Sequence, residues 1–134
     1  MQYGNDKNIH LSAVIDKTEK DSIKLIESSY DGNIRVWNFY SGIQISEIKV
    51  NDYALYGICL VDEFFLCVGC DDNTIKIVDL KKRKVIDTLE GHNNYVVTIK
   101  KIVFQNNEFF ISQAFEDDKL KLWKDEKKEI NIFL

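Results

Sequence analysis

The sequence repeats itself three times, and that repeat restricts the fold more than any other feature. Asp31, Asp72 and Asp117 each open the same pattern: the Asp, two residues, then an aliphatic-x-aliphatic triplet. The triplets are Ile34-Arg35-Val36, Ile75-Lys76-Ile77 and Leu120-Lys121-Leu122, and the spacings between the Asp residues are 41 and 45. The position six after each Asp holds Trp37, Val78 and Trp123, so the likeness runs through a whole segment. Glu63-Phe64-Phe65 also returns as Glu108-Phe109-Phe110, with an Asp nine positions after the Glu in each case. A period in this range marks a chain built from stacked supersecondary units, each unable to bury its apolar face alone.

Within each repeat, short apolar runs rich in Ile, Val, Phe and Tyr alternate with clusters of Asn, Asp, Gly and Lys, which reads as strands and turns. The first repeat predicts strands over Ile9–Ile15, Ile23–Ser29, Ile34–Phe39 and Ile43–Val50. The second predicts them over Leu55–Val61, Phe64–Cys70, Thr74–Asp79 and Val85–Leu89, and the third over Val96–Phe104, Phe109–Phe115, Leu120–Trp123 and Ile130–Leu134. Connections this short are hairpins, so each repeat is expected to be a four-stranded antiparallel meander. Phe64-Phe65-Leu66-Cys67-Val68 is apolar on both faces, as in a sheet covered on both sides. Stacked meanders of this kind describe a β-propeller.

At 134 residues, with 45% hydrophobic and 30% charged residues, the chain has the balance of a single globular domain spanning 1–134. Its net charge of −4 argues against a general affinity for nucleic acid or for acidic membranes. No apolar run is long enough to suggest a membrane span, Met1–His10 lacks a signal-peptide core, and three cysteines do not make a disulfide framework. A cytoplasmic or nuclear protein in a reducing compartment is expected.

These repeats resemble the WD-repeat family, whose β-propellers carry a Gly-His turn and a Trp-Asp strand end in a repeat of this length. The likeness covers Ile9 to Leu134 and is strongest in the last repeat, where Gly91-His92 precedes a strand from Val96 and Asp117 and Trp123 follow. The resemblance implies a hydrogen-bonded network of turn Asp, His, strand Ser and Trp that ties a blade together. His92, Asp117 and Trp123 are three candidate members, and Ser112 stands near the fourth position. Asp31, Trp37 and Asp72 hold the matching positions of the earlier repeats. The chain departs from the pattern at all three strand ends, Trp37-Asn38, Val78-Asp79 and Trp123-Lys124, and the Gly-His position before the middle repeat reads Lys49-Val50.

The fold expected is therefore all-β: a β-propeller portion of three four-stranded antiparallel blades, at about 9–50, 51–90 and 91–134, making an incomplete ring. Propellers have about 4–8 blades, so the outer faces of the first and last blades need a cover. The rest of a longer chain, a second copy or a partner could supply it, and the absence of a spare outer strand at either end favours a segment of a larger propeller.

Other motifs have plain readings. Cys67-Val68-Gly69-Cys70 has metal-ligand spacing, but residues three apart in a strand point to opposite faces, so these two, like Cys59, are expected in the core. Only His10 and His92 are present, too few for a three-histidine zinc site. Lys81-Lys82-Arg83-Lys84 reads as a solvated turn or as a phosphate-binding or nuclear-import patch, and the mixed-charge turn Lys124–Glu129 supports the former. Asp71-Asp72-Asn73 and Glu116-Asp117-Asp118 lack a calcium loop's alternating ligands and read as turns. Ser112, His92 and Asp117 could be assembled into a catalytic set, but a structural role is preferred. No metal, no cofactor and no catalytic site is expected.

The function expected is a non-catalytic protein-interaction scaffold within a larger assembly. Tyr53, Asn94 and Tyr95, with Asp52, Asn93 and a loop at His10, are its candidate partner-binding positions, since Tyr joins apolar area to a polar end. One alternative is a self-completing module in which two copies close a six-bladed ring; a propeller enzyme is the weakest reading.

Overall fold

The computed structural model describes residues 10–17, 20–62, 64–126 and 129–133, and every regular element among them is a strand. The first blade comprises β1 (His10–Asp16), β2 (Lys24–Ser29), β3 (Asn33–Asn38) and β4 (Gln44–Lys49). The second comprises β5 (Leu55–Leu60), β6 (Phe65–Cys70), β7 (Ile75–Asp79) and β8 (Lys84–Leu89). The third comprises β9 (Val96–Phe104), β10 (Asn107–Ala114), β11 (Lys121–Glu126) and β12 (Glu129–Phe133). Each set is one four-stranded sheet whose neighbours follow chain order, and every pairing is antiparallel. His10 opens β1 instead of sitting in a loop. Ile9 and Leu134, the expected outer limits, lie outside the described residues.

The turns explain why the Asp positions repeat. Asp31 Oδ1 accepts the Asn33 amide at 3.1 Å, Asp72 Oδ1 the Thr74 amide at 3.2 Å and Asp117 Oδ1 the Lys119 amide at 3.0 Å. Each carboxylate thus caps the turn into the third strand of its blade, an Asx-type geometry that Asp supplies from its short polar side chain. At the opposite end, Asn38 Oδ1 accepts the amides of Tyr40 and Ser41 at 3.0 and 2.9 Å, and Asp79 Oδ1 those of Lys81 and Lys82 at 3.0 and 2.9 Å. The residue after Trp37 and after Val78 therefore starts the turn into the fourth strand. Lys124 stands at that position in the third blade and has no acceptor to offer; β11 runs on to Glu126.

Pairing register corrects one equivalence. Leu66 lies opposite Val78, whereas Phe110 lies opposite Trp123, so Phe110 matches Leu66 and not Phe65. The two Glu-Phe-Phe motifs are thus offset by one, and the third blade carries its extra residue in the turn from Phe115 to Lys119, where Glu116 has φ 55. Likewise Leu55 pairs with Cys70 as Val96 pairs with Ala114, which sets Asn51, not Val50, level with His92.

Blade two is the filling of the stack. Leu66, Val68, Cys70 and Val78 pack with Ile26, Ile34, Val36 and Ile48 of the first blade. Cys67, Ile75 and Ile77 pack on the other side with Val96, Phe110 and Trp123 of the third. Each fully buried aliphatic side chain contributes about 1.5–3 kcal/mol by leaving water, which is why β6 is apolar at successive positions. The strands β1, β5 and β9 lie side by side along one edge of the stack. Gly57 and Gly69 permit the approach of the second and third blades: a Cβ at Gly57 would lie 2.7 Å from the Val97 carbonyl oxygen, and one at Gly69 would overlap the Val96 carbonyl. The stack is open. Val103 and Phe104, each 64% exposed, and Leu120 stand unburied on the last blade.

Candidate functional site

Antiparallel order places the β2–β3, β4–β5, β6–β7, β8–β9 and β10–β11 connections at one end of the stack. Here the candidate residues of the third blade come together. The Trp123 indole N–H donates to Ser112 Oγ at 2.8 Å, and Ser112 Oγ lies 2.7 Å from His92 Nε2. His92 Nδ1 faces Asp117 Oδ2 at 3.8 Å, too far for a hydrogen bond but close enough for its charge to favour the tautomer protonated on Nδ1. The Ser112 hydroxyl then donates to Nε2. Strand pairing brings Ser112 to this place, because it sits two residues from Phe110 on the face that holds Trp123.

Burial, the first cause, and the nearby Lys121 charge hold His92 below its ordinary value, against the opposing pull of Asp117. The folded state therefore binds its proton less readily than the unfolded chain. The contribution is fully present above about pH 6.5 and is lost as pH falls below it toward the lowered folded value. Urea midpoints measured at pH 7.5 and pH 5.5 are expected to fall on acidification, and His92→Gln is expected to flatten that slope. An unchanged slope in the variant would contradict this account.

In blade one the same positions carry different chemistry. Glu27 stands where Ser112 stands, Arg35 where Lys121 stands, and Trp37 where Trp123 stands. The Arg35 guanidinium, 4% exposed, bonds Asp31 and lies 3.1 Å from Glu47 and 3.7 Å from Glu27. Burial works against the charge on both Arg35 and Asp31, yet their hydrogen bond and attraction prevail: the Arg35 pKa is raised and the Asp31 carboxyl lowered. In blade two Asp72 bonds Lys76 at 3.1 Å and its carboxyl is lowered, burial again opposing and the bonds from Thr74 and Lys76 prevailing. Val78 fills the Trp position there with an apolar contact.

Above this layer lie aromatic rings. Tyr56 stacks on Tyr95 at 4.8 Å between centroids, and Tyr95 on Phe115 at 4.9 Å. Such pairs add about 0.5–1.5 kcal/mol each beyond area burial. Burial, then the charge and hydrogen bond of Asp71, push the Tyr56 hydroxyl up to about 12, so it stays neutral and donates to Asp71 Oδ1 at 3.2 Å. Tyr95 is thus half-buried within a ladder joining blades two and three, and Asn94 beside it is half-buried, its Oδ1 taking the Tyr95 amide at 2.9 Å. Tyr53 at 61% exposure and Tyr30 at 58% stand free at the same end. Sequence reasoning missed Tyr56, Phe115 and Tyr30. A strand aromatic beside Gly57 and aromatics at the two turn shoulders were the available signals.

Cys67 and Cys70 point into different cores, and Cys59 is also buried; none is in a disulfide. Burial pushes the Cys70 thiol up to about 12. Among the described residues no group of His, Cys, Asp or Glu is placed to hold a metal. The Ser112–His92–Asp117 geometry resembles a nucleophile, base and orienter, but Ser112 is 1% exposed and its Oγ already accepts the Trp123 N–H.

Residues 83–124, which contain His92, Ser112, Asp117 and Trp123, match the family model described as "WD domain, G-beta repeat". Segment 83–124 is a WD repeat. The chain is 28% identical over 99 residues to the U3 small nucleolar RNA-associated protein 21 homolog of Schizosaccharomyces pombe, covering 74% of this chain and 11% of that protein. It is 29% identical over 108 residues to the probable coatomer subunit beta' of the same yeast, covering 78% and 13%. It therefore spans about a tenth of the length of these curated relatives. The crystal structure of the WD40 β-propeller domain of Doa1 superposes with a TM-score of 0.74 at 22% identity, over 92% of this chain and 40% of that one.

Proposed function

We propose that this WD-repeat chain is a non-catalytic scaffold, cytoplasmic or nuclear, that holds a protein partner at the turn end of its blades. The observation that carries the reading is the group of aromatic residues there: an internal ladder of Tyr56, Tyr95 and Phe115, flanked by exposed Tyr30 and Tyr53. The ladder fixes the surface while the free tyrosines offer area and a hydroxyl, the combination enriched at binding hot spots. His92, Ser112, Asp117 and Trp123 serve beneath it as a structural network, with Asp31, Trp37 and Asp72 in the corresponding parts of the other blades. Relatives named as a small nucleolar RNA-associated protein and a coatomer subunit are consistent with work inside assemblies.

The double variant Tyr30→Ser/Tyr53→Ser is expected to lower partner capture from extract of the source cells about tenfold, with an unchanged melting curve. Equal capture by both proteins would overturn the assignment of this surface. Tyr95 is left intact in that test because its ring is held between two others. A second reading, two copies closing one ring, is favoured by the exposed Val103, Phe104 and Leu120 on the last blade. Light scattering separates the two, since self-closure requires a native mass of two subunits.

A further inference from the structure

A cavity of about 390 Å³ opens at the other end of the stack, between the first and second blades. Ile26 and Val36 of blade one and Leu80 and Phe64 of blade two line it with apolar surface, and Lys24, Lys81 and Arg83 bring cations to it. Asp16 is the acidic residue of this lining among those described; it is buried and sits directly across the β1–β2 pair from Lys24. Asp79, nearby in sequence, directs its carboxylate to the amides of Lys81 and Lys82. The side chains of Lys81, Lys82, Arg83 and Lys84 form no ion pair with any described residue. Lys81 Nζ instead lies 5.3 Å above the Phe64 ring, which keeps its charge at the apolar wall. Arg83 holds φ 58 at the turn that carries these groups, a backbone conformation non-glycine residues rarely adopt.

We propose that this cavity binds a short acidic peptide segment of a partner protein, one apolar side chain entering between the blades while flanking Asp, Glu or phosphorylated residues meet Lys81 and Arg83. The argument is charge complementarity: three cations, Lys24, Lys81 and Arg83, against the one carboxylate of Asp16 line the cavity of a chain whose net charge is −4, so the sign of the lining is opposite to that of the whole. A flat bilayer surface does not enter a recess between two blades, whereas the apolar lining there suits a single side chain. The site lies at the opposite end of the blades from Tyr30 and Tyr53, so it is independent of the turn-face scaffold reading.

The test selects a phage-displayed random short-peptide library on the immobilised chain, then measures the best labelled peptide by fluorescence anisotropy. Targets are the wild type, Lys81→Glu/Arg83→Glu and Tyr30→Ser/Tyr53→Ser, with circular dichroism confirming that all three fold alike. Expected are peptides combining acidic and large apolar residues, bound about tenfold more weakly by the charge-reversed protein and equally well by the tyrosine variant. Lys81 and Arg83 are exposed, so their reversal is compatible with folding. Peptides without acidic residues, equal binding to the charge-reversed protein, or no enrichment at all would overturn the proposal. Sedimentation of the wild type, but not the charge-reversed protein, with phosphatidylserine-containing vesicles in the absence of peptide enrichment would assign the cations to lipid and overturn it equally.

Discussion

Trp123→Ala is expected to lower the unfolding free energy by about 3–5 kcal/mol, the range for truncating a buried aromatic. Trp123 is 2% exposed and packs among Val96, Ile99, Phe110 and Cys59, so alanine leaves a cavity at the junction of blades two and three. It also removes the N–H held by Ser112 at 2.8 Å, exposing the Ser112–His92 pair to rearrangement. Domains of this size are typically stable by about 5–15 kcal/mol, so the loss is a large share of the total and the urea midpoint should fall clearly. Far-ultraviolet circular dichroism in a urea series measures the loss, and the remaining tryptophan, Trp37, reports blade one separately. Trp123→Phe, which keeps most of the volume, should recover part of the stability. A loss under about 1 kcal/mol for Trp123→Ala would show that the junction does not depend on this ring.

Arg35→Ala is the second large effect. The guanidinium is buried against Asp31, Glu27 and Glu47, and Glu27 is itself buried. Removing the cation leaves acidic groups in a poorly hydrated place, which costs about 3–5 kcal/mol where a buried pair is broken. Replacing both sides with apolar residues, Arg35→Met with Glu27→Leu, should restore part of the loss, because the most deeply buried carboxylate is removed with the cation while Asp31 and Glu47 keep access to water. Lys76→Ala in blade two is the useful contrast: its partner Asp72 is more than one-third exposed, so the loss there should stay below about 1 kcal/mol. Equal losses at Arg35 and Lys76 would mean that burial does not distinguish the two blades.

The two blades differ in this way because the repeat conserves geometry more strictly than chemistry. Each turn Asp caps the amide two residues on, whichever side chains follow. The groups gathered on the face beside that turn vary from blade to blade. One blade uses Ser, His and Trp, another an arginine among carboxylates, and the middle one packs Val78 in their place.

Much of this was legible in the residues alone. Short apolar runs interrupted by Asp, Asn and Gly turns are local physics, so strand number, meander order and the three-blade stack could be read from spacing. The opposite orientations of Cys67 and Cys70 followed from the period of a strand, and the turn role of Asp117 from its own short side chain. Tertiary structure decided what depends on register and on neighbours distant in sequence. The extra residue in the Phe115–Lys119 turn, invisible to a fixed offset, put Ser112 beneath Trp123 and His92. The ladder of Tyr56, Tyr95 and Phe115 joins residues from three separate strand ends, and the cation-rimmed cavity draws on both of the first two blades. Composition and periodicity report what each segment does with its own backbone; which side chains meet across two blades is set only when the sheets stack, because a one-residue slip turns every side chain to the other face.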